Sequence, residues 1–549
     1  MKNYGIYICY PPTVPLHKEG LGRYLAAFIK GAESLKDARF IILCPSWSRN
    51  DIIKLFESEG VSLDKVKICA PEGLPIILKI YMKLLDYKKS RKRKQARVFD
   101  RALKYISTFP ARRMKSIEKR LAQSYSIISL LPLLLDVLFV FLFSLISLPC
   151  LFVLSLLYIV KKKIISHRVR RYASLFRGKV SKIFNAPKNE GFVSRLYGLM
   201  QQVETERMHN LISKIESVQA WYAPTSFWPS FTKIDAPRLM CVPDVVLNRF
   251  PVGFSAVGGE RFLETFNQVT QTINGNDKFV TYSMDVKQKT LMKYFNVPDG
   301  DIYVIKHAPN KLDNWIDISD VSNKQEYIVN YARRLFSIAL SKQKSEYYHG
   351  LSGDFQFIFY ASQARPNKNI ISLLRAYNYL LKDKFLQHKL ILTCSLEKSE
   401  EIRKFVKRNN LQNDVLFMSG LSVQELAACY KLADLAVNPS LSEGGCPFTF
   451  TEALSVQTPV VMGRIGVTEE VLTDQLLQEM TFFDPYDWKN IATKIEWALN
   501  NLDSLREIQL KAYNELTKRT WEDVVCEHIA AMDEIAENFK ITKDNTSGK

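Results

Sequence analysis

Paired cysteines are what this chain most plainly lacks. Its nine cysteines, at positions 9, 44, 69, 150, 241, 394, 429, 446 and 526, are odd in number, scattered and never spaced as Cys-x-x-Cys. That pattern argues against a disulfide framework and against a zinc site, and it leads us to expect a reducing compartment. Long polar low-complexity tracts are also missing apart from a short tail after Lys540, and hydrophobic residues make up 47% of the chain. A disordered protein is therefore not expected. No apolar core behind a basic start precedes Tyr4-Gly-Ile-Tyr-Ile-Cys9, so secretion is not expected either. What is present is length: 549 residues, enough for two to four domains, each with its own core.

Acidic residues are scarce in one window. Between Lys79 and Lys182 there are 25 Lys and Arg against 4 Asp and Glu, a net of +21, while the rest of the chain holds 51 basic and 52 acidic residues. One insertion thus carries the whole excess of the +20 net charge. Inside it, the 34 residues from Ile127 to Val160 contain a single charge, Asp136, and basic clusters (Lys88-Lys-Ser-Arg-Lys-Arg-Lys94, Lys161-Lys-Lys163, Arg168 to Arg171) lie on both flanks. Strand-like runs before it (4–10, 39–44) and after it (220–222, 239–242, 279–282, 302–305) read as one domain, so both ends stay on one side of any membrane. The basic flanks make that side cytoplasmic. Two legs of about 17 residues reach only ~25 Å each, short of the ~30 Å hydrocarbon core. A re-entrant or shallow hairpin is expected, broken at Pro132 and Pro149, with the flanking helices on anionic headgroups. A core hairpin buried in protein is the alternative. Nucleic acid is not an expected partner, since no motif for it is visible.

The densest chemistry lies at Asn438-Pro-Ser-Leu-Ser-Glu443-Gly-Gly-Cys-Pro-Phe-Thr-Phe-Thr-Glu452-Ala-Leu-Ser-Val-Gln-Thr458-Pro-Val-Val-Met462. Apolar runs at 433–437 and 459–462 read as buried strands. Between them a Gly-Gly turn and a helix starting near Pro447 bring backbone N–H groups to one point, an arrangement that binds phosphate and other anions. Two carboxylates flank that point.

This segment resembles the acidic signature of family 4 retaining glycosyltransferases. The resemblance implies an α/β protein of the GT-B fold, two Rossmann-like doubly wound domains facing a cleft, here with a mostly helical basic and apolar insertion. It also implies that Glu443 lies by the donor sugar, that the backbone of Gly444, Gly445, Cys446 and Pro447 faces the sugar and diphosphate, and that Glu452 holds the ribose hydroxyls. Eight residues separate the two glutamates, one more than the family's motif usually has. Earlier in the chain, Ala361-Ser-Gln-Ala-Arg365-Pro-Asn-Lys368-Asn follows a strand at 355–360 and leads into a helix over 370–381. A donor diphosphate carries two negative charges, and a fixed cation pair compensates them without a metal. By resemblance those cations are Lys368 and Arg365, although Ser362-Gln363 replaces the family's Gly-Arg.

The resemblance extends to the first domain. The loop after the first strand, Pro11 to Arg23, carries Gly20 and Gly22, which resemble the family's glycine loop facing donor phosphate and acceptor. Leu239-Met-Cys-Val-Pro243-Asp244 resembles the strand ending in an acceptor-side Asp, with Pro243 where a His is common. Asp244 is expected either to orient or deprotonate the acceptor hydroxyl or to cap a turn. His307 reads as a hinge-region residue. The expected domains are 1–76 and 215–310 (N-terminal domain in two parts), 77–214 (insertion, apolar hairpin at 127–160), 311–352 (interdomain connection), 353–502 (nucleotide-sugar domain) and 503–549 (helices and a disordered tail). The activity implied is metal-independent, retaining transfer of a hexose, guessed as mannose from GDP-mannose, to a lipid-linked or polysaccharide acceptor at the cytoplasmic membrane face, with no cofactor besides the nucleotide-sugar substrate. The other reading, favoured by Gln363 and Pro243, is a non-catalytic partner subunit of the same fold. Oligomeric state, donor and linkage are not legible.

Overall fold

The computed structural model describes residues 1–12, 16, 20–76, 78, 192–215, 217–258, 260–318, 323–343, 354–396 and 399–547. Most of the basic insertion, the apolar stretch 127–160 included, lies outside the described residues. Among the described residues no helix is long and apolar enough to cross a membrane.

Short runs of Val, Ile, Leu and Phe, buried on both faces and separated by amphipathic helices, are the pattern of parallel strands covered on both sides. The chain forms two such sheets. The first takes β1 (Lys2–Tyr7), β2 (Ala38–Leu43), β3 (Val66–Cys69), β4 (Trp221–Ala223), β5 (Arg238–Cys241), β6 (Phe279–Thr281) and β7 (Ile302–Val304), in the order β3-β2-β1-β4-β5-β6-β7. Its pairings are all parallel, Gly5 standing opposite Trp221 on one side and Ile41 on the other. Helices α1 (Gly20–Gly31), α2 (Arg49–Glu59), α3 (Phe192–Ile212) and α4 (Glu260–Asn274) belong to this unit.

The second sheet takes β8 (Phe357–Tyr360), β9 (Lys389–Leu392), β10 (Val415–Phe417), β11 (Leu435–Asn438), β12 (Val460–Gly463) and β13 (Phe482–Phe483), ordered β10-β9-β8-β11-β12-β13 and parallel in its pairings. Around it lie α5 (Lys324–Ser341), α6 (Ile370–Asp383), α7 (Glu400–Arg408), α8 (Val423–Leu432), α9 (Phe448–Ser455), α10 (Gly466–Val471), α11 (Trp488–Leu499) and α12 (Leu502–Leu516). Helix α8 starts on a capping box: the Ser422 hydroxyl accepts from Glu425 N at 3.2 Å, and Ser422 N donates to the Glu425 carboxylate at 2.9 Å. Such a cap stabilises a helix by about 1 kcal/mol. This is the GT-B architecture, and both sheets turn their C-terminal strand ends to the cleft between them, where doubly wound folds bind ligands.

Three expected boundaries move. Residues 192–212, expected inside the insertion, form α3 and belong to the first domain: Met208 joins its core, Leu196, Met200 and Val203 pack with Trp47, and the buried Glu204 carboxylate accepts from Ser46 N at 2.7 Å. The expected interdomain connection instead supplies Leu312, Ile316, Phe336, Ala339 and Leu340 to the second core, where Phe336 stacks on Phe357 at 5.2 Å. The last helix, α13 (Trp521–Ser547), lies among the expected C-terminal helices, runs on through 541–547 where a disordered tail was expected, and crosses back to the first domain. Val524, Val525 and Met532 are fully buried in that domain's core, and Asp533 accepts from Lys2 Nζ at 2.7 Å and from the Tyr4 hydroxyl at 2.9 Å. Burying each large apolar side chain contributes roughly 1.5–3 kcal/mol, so α13 is a structural part of the domain that begins the chain.

Candidate active site

Two loops of the second domain build the wall of the cleft. The loop after β8 ends in a short turn, Pro366–Lys368, followed by Asn369 at φ 53°, a left-handed conformation that a short polar side chain tolerates. The Asn369 amide donates to Pro439 O at 3.1 Å and to Pro485 O at 2.6 Å, which ties this turn to the ends of β11 and β13. Asn367 ties it to the acidic loop: its side-chain amide donates to Ser442 O at 3.2 Å and its carbonyl accepts from Leu441 N at 2.8 Å. Fixed in this way, Lys368 Nζ donates to Glu443 Oε1 at 2.6 Å, a short charge-assisted bond. Burial opposes the Lys368 charge, yet the Glu443 carboxylate, with Tyr360 and Asp244 behind it, holds the ammonium above its ordinary range.

From the opposite wall, β5 delivers Asp244 to the same cluster. Burial pushes its carboxyl above the usual range, the Glu443 charge pushes it the same way, and Lys368, Arg365 and Arg249 oppose them. Asp244, Glu443, Lys368 and Arg365 thus share one electrostatic neighbourhood, although they come from two domains. The carboxyl pair around one ammonium can hold a proton near a reacting hydroxyl and can meet charge that develops on a leaving group.

Glu452 lies at the other end of the cleft. Helix α9 begins at Phe448 with Pro447 at its cap, one residue later than expected, and Glu452 sits buried in it. Its Oε1 accepts from Arg23 Nη1 at 3.2 Å and from Asn310 Nδ2 at 3.4 Å. Arg23 and Asn310 carried no assigned role in the sequence, although Arg23 directly follows Gly22 and Asn310 lies three residues after His307. Helix α1 starts at Gly20, four residues before the expected Tyr24.

The glycines separate into two kinds. Among the described residues nothing stands near a Cβ at Gly20, whereas at Gly22 a Cβ would fall on the Leu16 carbonyl. At Gly444 a Cβ would fall on the Pro243 carbonyl, and at Gly445 it would stand 2.8 Å from His307 Nε2. The Gly-Gly pair therefore admits close approach of the first domain. Its Cβ directions are taken up by Pro243 and His307, and Gly444 O accepts from the Ser283 hydroxyl at 3.0 Å. His307 is a half-buried interface residue, its ring 4.4 Å from that of Phe448 and 5.5 Å from that of Tyr282, and desolvation pulls it down to about 4, so it is neutral at pH 7. The Cys446 thiol is pushed up to about 12 by burial and by Glu443, so it offers no thiolate nucleophile. Among the described residues no group of three or more His, Cys, Asp or Glu is placed to hold a metal ion.

Residues 341–515 match the family model described as "Glycosyl transferases group 1". The matched stretch runs from the last residue of α5 into α12 and contains Lys368, Glu443 and Glu452. Among curated proteins, the chain is 27% identical over 223 residues to "Serotype-specific mannosyltransferase WbdA" of Escherichia coli, covering 40% of this chain and 26% of that protein. It is 28% identical over 178 residues to "O-antigen chain mannosyltransferase B" of Escherichia coli (32% and 45% covered), and 33% identical over 117 residues to "MMP alpha-(1->4)-mannosyltransferase" of Mycolicibacterium hassiacum (21% and 28%). The chain spans about a quarter to a half of the length of these relatives. In fold it is similar to the N-terminal domain of Candida albicans trehalose-6-phosphate phosphatase (TM-score 0.53, 11% identity, 97% of each chain) and to sucrose-phosphate synthase of Thermosynechococcus elongatus (TM-score 0.50, 11% identity, 97% and 99%). At that identity the likeness concerns the fold.

Proposed function

We propose that the protein is a retaining glycosyltransferase that takes a hexose from a nucleotide-diphosphate sugar and passes it to a lipid-linked or growing polysaccharide acceptor at the cytoplasmic face of a membrane. The observation that carries this reading is the Lys368–Glu443 pair, 2.6 Å apart inside a group 1 domain and faced by Asp244 from the other domain. In it, Lys368 and Arg365 meet the negative charge that grows on the departing diphosphate, which is the main catalytic contribution when the sugar–oxygen bond breaks early. Glu443 borders the sugar, Glu452 with Arg23 and Asn310 holds the ribose, and Asp244 orients or deprotonates the acceptor hydroxyl. The cation pair does the work a metal does elsewhere. Mannose from GDP-mannose is the first donor to try, because the relatives above are mannosyltransferases by name, one serotype-specific and one an O-antigen chain mannosyltransferase.

The deciding experiment offers a panel of nucleotide-sugars to the protein with membranes present and with EDTA in a parallel arm. Transfer from one donor, insensitive to EDTA, with the anomeric configuration kept in the product, is the expected result. Glu443→Ala and Lys368→Ala are each expected to lower kcat by a factor on the order of 10² or more, the scale of losing one charge-stabilising group. Near-normal turnover in either variant would sink the assignment.

A further inference from the structure

The first domain touches the acidic loop through a residue without an assigned role. Arg249, five residues after Asp244, points one arm of its guanidinium at its own domain and the other across the cleft. Nη2 donates to Asp285 Oδ2 at 2.6 Å, and Nη1 reaches Ser442 Oγ at 3.4 Å. Ser442 is buried, immediately precedes Glu443, and is tied through its carbonyl to Asn367 beside Lys368. Asp285 is buried as well and is paired a second time with Lys289.

The turn that holds Asp285 is gripped from the second domain at more points. The carboxylate of Glu470, on α10, accepts from Met284 N at 2.9 Å and Asp285 N at 3.3 Å, and Lys306 Nζ lies 3.5 Å from its other oxygen. Ser283 Oγ donates to Gly444 O. The ends of β5 and β6 are thus clasped to the acidic loop, and Arg249 is the link that ends one residue from Glu443.

We propose that Arg249 is a positioning residue that couples closure of the two domains to the placement of Glu443; the inference rests on the glycosyltransferase reading above. An Arg is suited to the task because its planar fork presents several N–H groups at once and spans Asp285 and Ser442 together, whereas an ammonium is a single point. When the domains part, the Ser442 end is lost and the acidic loop keeps only its contacts within the second domain. Donor nucleotide binding rests mainly on Lys368, Arg365 and Glu452 of that domain and not on the link itself; the first domain adds to it only through Arg23 and Asn310 at Glu452.

The test is Arg249→Met and Arg249→Lys, with folding followed by thermal unfolding. Arg249→Met is expected to lower kcat about tenfold or more while the donor KM stays within about threefold, the pattern of a group that acts in the transition state. Arg249→Lys is expected to fall between. Calorimetric affinity for the free nucleotide diphosphate is expected to fall by no more than about threefold in both, and small-angle scattering with that nucleotide present is expected to show a larger radius of gyration for Arg249→Met than for wild type. An unchanged kcat, an unchanged radius, or nucleotide affinity falling in step with kcat would each overturn the proposal. Should wild type turn over no donor, that result counts against the glycosyltransferase reading, and the scattering comparison still decides whether Arg249 holds the domains together.

Discussion

At the scale of single residues, the glycines separate a packing role from a ligand role. Gly444 cannot accept a Cβ because the obstacle is the backbone carbonyl of Pro243, which no rotamer change removes. Gly444→Ala is therefore expected to force the domains apart, lowering stability by about 1–3 kcal/mol as overpacking does, and to abolish transfer, measured by thermal unfolding and by turnover. Gly20 behaves differently, with no atom of the described residues within 4 Å of an added Cβ. Gly20→Ala is expected to stabilise α1 slightly, by about 0.5–1 kcal/mol from the lost glycine entropy, and to raise the KM of donor or acceptor if that open space is where substrate lies. An unchanged KM would remove Gly20 from the site. Glu443, Glu452 and Lys368 could be singled out from the sequence because each stands in a recognisable local motif, and the structure places all three on the side of the second domain that meets the first. Arg249 could not, because its partner Ser442 lies 193 positions away and no local pattern marks such a pairing.

At the scale of elements, strands were legible and ownership of helices was not. Buried runs such as Ile41-Ile-Leu43 and Val460-Val-Met462 have one physical solution, a central parallel strand. The apolar stripe of α3, Leu196, Met200 and Val203, has helical spacing too, but its place after a basic run hid which core it joins. Helix α13 carries a consequence of where it docks. His528 is fully buried between Phe28 and Tyr222, each ring centre 5.2 Å away; its Nδ1 lies 2.7 Å from the Val524 carbonyl and its Nε2 has no partner. Since a carbonyl only accepts, Nδ1 carries the proton, and a second proton on Nε2 would be a buried charge without a partner. Burial pulls the ring down to about 4 from 6.5. A lowered pKa means that the unfolded chain takes the proton first, so this stability is present above pH 6.5 and is lost as pH falls toward 4. Between pH 7 and 5 the loss from His528 is about 2 kcal/mol. His528→Leu is expected to flatten that part of the decline in denaturant-unfolding free energy; equal declines in variant and wild type would show that the ring is not held neutral by the fold.

At the scale of the whole molecule, the charge map and the topology meet at one place. The basic insertion departs after β3 and the chain returns through α3, so both of its junctions belong to the first domain. The proposed attachment has two physical components that respond to salt in opposite ways. The 25 basic residues of the 79–182 window draw on anionic headgroups at about 1 kcal/mol for each one near the surface, and that attraction is screened once the Debye length shrinks to about 3 Å at 1 M salt. Burial of the 34-residue apolar stretch in hydrocarbon is not screened at all. Vesicles containing anionic lipid are therefore expected to hold the protein both in low salt and in 1 M NaCl, and membranes from cells to keep it through carbonate extraction. Substituting Asp or Lys at four apolar positions between 137 and 157 is expected to make binding salt-labile, since each charge placed at depth costs roughly 2.5–3.5 kcal/mol. Wild type that washes off in 1 M NaCl would reduce the attachment to headgroup contact. Failure to bind vesicles even in low salt, with the nucleotide site intact by calorimetry, would place the apolar stretch inside protein and leave the choice of a lipid-borne acceptor without its support.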